Sequence, residues 1–193
     1  IEGDMAEIWS EAEGCLKKAH ELNDNDFEVH RLMAEVNLSG RNFRVAERHA
    51  SKAYKMVPND PRVLSVYGEV SLRLGKIDQG LDALKLALEI DPIAQGKTNS
   101  DSRTAPVIFG EFLARNKDNC LELVEKLEDI DSKSWLLTAK LCSDEEHDIT
   151  EEDWYKRGKE EFNDKDWAAE VDSFRLNNEG AKESLIEFAE SLF

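Results

Sequence analysis

Residues 53–61 read Ala53-Tyr54-Lys55-Met56-Val57-Pro58-Asn59-Asp60-Pro61. The string closes one amphipathic stretch and opens another. Asp60 suits a helix N-cap, because its carboxylate accepts hydrogen bonds from the first free amides. Pro61 suits the first helical position, where no amide partner is needed. The same punctuation stands on either side. Ala19-His20-Glu21-Leu22 precedes Asn23-Asp24-Asn25-Asp26, and Ala87-Leu88-Glu89-Ile90 precedes Asp91-Pro92. The alanines are 34 residues apart each time, as are Pro58 and Pro92. A fixed period of this size decides the fold class before any single element does.

Each full unit reads as two helices. In residues 27–60, Val29, Leu32, Met33, Val36 and Leu38 keep helical spacing, Gly40 interrupts, and Phe43, Ala46, Ala50 and Ala53 resume it. In residues 61–94, Val63, Leu64, Tyr67, Val70 and Leu74 precede Gly75, and Leu81, Leu84, Ala87, Leu88 and Ile90 follow. A 3.6-residue period over such windows argues amphipathic helix, not strand. Gly75 is placed to take the left-handed conformation that ends a helix. Small residues recur in register: Ala34, Ala46 and Ala53 match Gly68, Gly80 and Ala87. Helices approach to about 8 Å only where the crossing residues are small.

These positions resemble the tetratricopeptide repeat (TPR) family, whose 34-residue unit is a helix-turn-helix. The family's large-small pair appears as Met33-Ala34 and Tyr67-Gly68. Its large residue before the second helix appears as Phe43 and Ile77. Gly80 departs from the usual Ala, and His30 and Leu64 stand where Trp is usual. The resemblance implies an all-α, TPR-type solenoid with a degenerate helical C-terminal cap. Residues 1–94 hold the repeats: a partial first unit, then 27–60 and 61–94. Residues 95–193 hold degenerate helical repeats and the cap. Gln95 to Thr104 reads as a polar loop. Val107, Ile108, Phe112 and Leu113 suggest a helix, with Cys120, Leu123, Val124, Leu127 and Ile130 as its partner. Residues 135–141 are expected to open a fifth unit. An acidic loop spans 143–153, and helices are expected over 153–162 and 178–192.

Composition narrows the function. The 193 residues carry 25 basic and 42 acidic side chains, a formal net charge of −17. That field repels phosphate backbones and anionic lipid, so nucleic acid and membrane surfaces are not expected partners. Residues 1–96 hold 12 basic and 17 acidic groups, against 13 and 25 in residues 97–193. No apolar run approaches the roughly 18 residues of a membrane span, and the first residues lack signal-peptide character. Cys15, Cys120 and Cys142 are not spaced as a redox or zinc pair. They read as small buried hydrophobes in a reducing, cytoplasmic setting.

Catalytic signatures are missing. There is no phosphate-binding Gly-rich loop, zinc-protease histidine pair or Gly-x-Ser-x-Gly elbow. No cofactor, metal or catalytic residue is expected, and the chain is not read as an enzyme. Asn23 to Asp26 alternates oxygens like a calcium loop, but lacks the turn glycine and distal Glu; it reads as an inter-repeat turn. The four histidines do not cluster along the sequence. His30 is expected in the core. His20, His49 and His147 have no partner at metal or triad spacing, and Cys142 with His147 supplies too few zinc ligands.

The expected function is a non-catalytic protein–protein interaction module. First helices of stacked units line a concave face, placing Arg31, Glu35, Leu38, Arg62, Glu69, Leu72 and Arg73 in a mixed-charge groove for a partner's peptide or helix. Arg31 with Glu35, and Glu69 with Arg73, are four apart and able to pair. Some TPR proteins hold acidic chaperone tails with Lys, Asn and Arg. Glu35 and Glu69 stand where that Asn would be and would repel the ligand, which rejects that subtype. Phe27 to Met33, Ala46 to His49, Pro58 to Arg62, Leu74 to Lys76 and Gln79-Gly80 also resemble the TPR region of some bacterial adenylate cyclases. That resemblance implies, as the alternative, a regulatory or assembly segment of a nucleotide cyclase. Self-association stays open, since the incomplete first unit leaves apolar surface to cover.

Overall fold

A computed structural model describes residues 2–93, 101–114 and 116–125. These residues form seven helices and, among them, no strand: α1 (Glu2–Leu22), α2 (Phe27–Ser39), α3 (Phe43–Met56), α4 (Pro61–Arg73), α5 (Ile77–Ile90), α6 (Asp101–Leu113) and α7 (Lys117–Glu125). Consecutive helices pack in order, so the architecture is the expected all-α solenoid of helix-turn-helix units. α2 also touches α4, and α4 touches α6, which puts the first helices of successive units along one side.

Local chemistry explains the boundaries. Asp26 caps α2, accepting from the Glu28 amide at 2.9 Å. Asp60 caps α4, accepting from Arg62 and Val63 at 2.9 and 3.3 Å. Each cap satisfies amides that the helix itself leaves free. α3 and α5 begin 34 residues apart without side-chain caps. Gly75 has φ 73°, as its place after α4 requires. Its equivalent in the preceding unit is not Gly40, which has φ −79°, but Arg41, with φ 61°. The left-handed residue of that turn is therefore a position later than the glycine suggests.

The units are held by small residues at the crossings. Ala34, Ala46 and Ala50 pack with Val66 and Val70, and Leu38, Tyr67 and Leu74 close around them. Gly68 and Gly80 approach more tightly. A Cβ at either would fall 2.8 Å from the other's carbonyl oxygen. Gly80 thus replaces the usual Ala because Gly68 and Leu72 already occupy that space. Tyr54 and Tyr67 stack at 4.3 Å across the joint between units, against Leu64, Ala83 and Ala87. Arg62 reaches back to Glu28, its equivalent 34 residues earlier, at 3.3 Å.

Two readings need correction. Asp101 to Thr104 is not loop but the first turn of α6, and Arg103 and Thr104 are buried. The cysteines are not three buried thiols either. Cys15 is exposed and free, whereas Cys120 is buried and disulfide-bonded. Cysteine usage therefore gives no argument for a reducing compartment. The expected elements beyond Glu125, including the acidic loop 143–153, His147 and the C-terminal cap, lie outside the described residues.

Candidate functional site

The side shared by α2, α4 and α6 carries most of the expected groove residues, and their pairing is now explicit. Arg31 is nearly buried. Its Nε donates to Glu28 Oε2 at 3.0 Å and its Nη2 to Glu28 Oε1 at 2.7 Å, while Nη1 donates to Glu35. Arg62 bonds Asp60 and Glu28. The hydrogen bonds that Glu28 accepts from Arg31 hold its carboxyl below its ordinary value. Glu35 moves the opposite way: burial raises it, despite Arg31 alongside.

Further along, Arg103 donates from Nη1 to the Ser65 hydroxyl and from Nη2 to Asp91 at 3.2 Å. The Arg73 guanidinium sits over the Phe109 ring, 4.6 Å from its centroid. The expected Glu69–Arg73 pair does not form. Glu69 makes no hydrogen bond or ion pair among the described residues, and burial pushes its carboxyl up, with Arg73 and Arg103 only partly opposing. It is a half-buried carboxylate on this face, without a hydrogen-bond or ion-pair partner among the described residues.

One of the two expected apolar spots is corrected. Leu72 is 1% exposed, and its side chain fills the space beside Gly80 and Gly110. Leu38 packs against the cluster around Ala34. Leu72 is covered by neighbouring helices and is not offered to a partner, whereas Leu38 stays partly exposed.

The histidines are the larger surprise. Separated in sequence, His20, His30 and His49 meet in space, with ring centroids 5.0, 5.6 and 5.1 Å apart. His30 is buried, as expected, but it is not alone. Spacings of 10 and 19 residues across three helices carry no recognisable motif. Among the described residues no group of three or more donors is placed to hold a metal ion. The Asn23–Asp26 turn is structural: Asn23 accepts from the Asn25 amide, and Asp24 presents its carbonyl to His30 and Lys52. No described helix is long and apolar enough to cross a membrane.

No protein-family model matches the chain. It is similar to cellulose synthase operon protein C of Pseudomonas fluorescens (strain SBW25), 28% identical over 111 residues, 54% of this chain. The match spans 9% of that protein's length. The similarity and the all-helical repeats fit a TPR-like family; neither supports the adenylate cyclase resemblance.

Proposed function

We propose that the chain is a non-catalytic, TPR-type interaction module whose α2–α4–α6 face receives a segment of a partner protein. One observation carries the reading: Glu69, a half-buried carboxylate on that face without a hydrogen bond or ion pair among the described residues. A charge so placed costs stability, and a cationic side chain of a partner would supply what it lacks. Glu35, also raised by burial, adds a second carboxylate to the same face. The paired Arg31 and Arg62 set the borders and limit how basic a partner is welcome. Repeat arrays share helix-packing residues more readily than groove residues, so the operon named for the relative does not identify this chain's partner.

The test is a comparison of co-purified proteins. Glu35→Lys with Glu69→Lys should abolish capture of the wild-type partner set. Asp82→Lys, on the exposed side of α5, should leave it intact. Equal capture by both variants would sink the assignment of this face.

A further inference from the structure

The histidine cluster joins α1 to the first full unit: His20 comes from α1, His30 from α2 and His49 from α3. Its proton positions follow from its bonds. His30 Nε2 lies 2.9 Å from the Asp24 carbonyl oxygen, which can only accept, so Nε2 carries a proton. Neutral His30 then offers Nδ1 as a lone pair. His49 Nδ1, 2.9 Å away, must donate to it. His20 lies edge-on to both rings, with its Nδ1 buried and without a hydrogen-bond partner. The charged groups facing the cluster are Lys52 and Arg48 of α3 and Asp24 of the turn. Asp24 is already engaged by Lys52, through its carbonyl at 2.6 Å and its carboxylate at 3.5 Å.

We propose that the seat of His20 on His30 and His49 is a proton-sensitive latch, which docks α1 on the first full unit while His30 and His49 are neutral and releases it when they are protonated. A proton on His30 Nδ1 would force His49 to shift its own proton to Nε2 and would set a cation in a buried site facing Lys52. A proton on His49 would add a cation beside Lys52, Arg48 and two other imidazoles. Burial is the largest cause of the lowered basicity of both, and it brings His49 down to about 4. Once released, His30 and His49 return towards their ordinary 6.5. The released state therefore binds protons that the docked state refuses. Docking is complete above about pH 6.5 and is lost as pH falls towards 4. His49 alone shifts the docking equilibrium by about tenfold between pH 7.5 and 5.5, and His30 adds to that. α1 is the element free to respond, because it rests on the array chiefly through α2.

Hydrogen exchange on the full chain tests this, with rates corrected for the intrinsic effect of pH. Protection of α1 should fall about tenfold or more from pH 7.5 to 5.5, while α4 and α5 keep theirs. His49→Leu should flatten that dependence. Unchanged α1 protection in the wild type, or an equal loss in His49→Leu, would overturn the latch. Should His49→Leu fail to fold, NMR titration of the wild-type imidazoles decides. His49 should stay neutral until below pH 5 and His30 should titrate below its ordinary value, and titration of both near 6.5 would overturn the proposal.

Discussion

At the scale of single residues, Glu69 and Arg41 sit where local physics is unfavourable. Burial raises the Glu69 carboxyl above its ordinary 4.5. Its contribution to stability is therefore intact below pH 4.5 and is lost as pH rises through the folded-state value. Glu69→Gln should match wild type in stability near pH 4 and exceed it at pH 7, as measured by urea midpoints. The same substitution should weaken partner capture, so stability and function move in opposite directions. Arg41 holds φ 61° without being glycine. Arg41→Gly should raise stability by about 0.5–1 kcal/mol, read as a higher melting temperature. The sequence pointed to Gly40, because composition marks the neighbourhood of a turn but not which residue in it takes the left-handed conformation. Glu69 was legible as a groove position. Its lack of an ion pair among the described residues was not, because Arg73 lies over Phe109 of the next unit.

At the scale of elements, the α4–α5 crossing depends on two glycines facing each other. Gly80→Ala should cost about 1–3 kcal/mol, since the new methyl meets the Gly68 carbonyl at 2.8 Å. The same Ala is already present at position 46, where Ala34 faces it. A chemical denaturation series comparing Gly80→Ala with Ala46→Gly would separate overpacking from a lost methyl. The α5–α6 joint relies on charge instead. Glu111 is buried, with Lys85 at 2.6 Å and Asn116 at 2.7 Å. Lys85→Ala strands that carboxylate and should cost about 2 kcal/mol, visible in the same denaturation assay. The repeat pattern made α2 to α5 legible to within a residue or so, because apolar spacing and caps agree there. The start of α6 was hidden by its polarity: Asp101 to Thr104 looks like loop, yet Arg103 is buried on Ser65 and Asp91. Leu72 was misread for a related reason. A position that faces outward from one helix pair is covered once the next unit packs on it.

At the scale of the whole molecule, a solenoid is stabilised by each unit and its neighbours. Exchange protection should be greatest in α4 and α5, which have units on both sides, and should decline towards α1. A flat protection profile would show that the described helices open together. The architecture was readable from the 34-residue period alone. The histidine cluster was not, because it depends on how three helices converge and not on any spacing along one of them.

The Glu28–Arg62 contact makes the order of the units a matter of chemical spelling. The two residues hold the same position in successive units but carry opposite charge. Splicing in a second copy of residues 27–60 would set Glu28 against its own duplicate, acid facing acid, at the new junction. The array is thus a sentence with fixed word order, and transposing or duplicating a unit would leave each helix well formed while the junction itself reads wrongly.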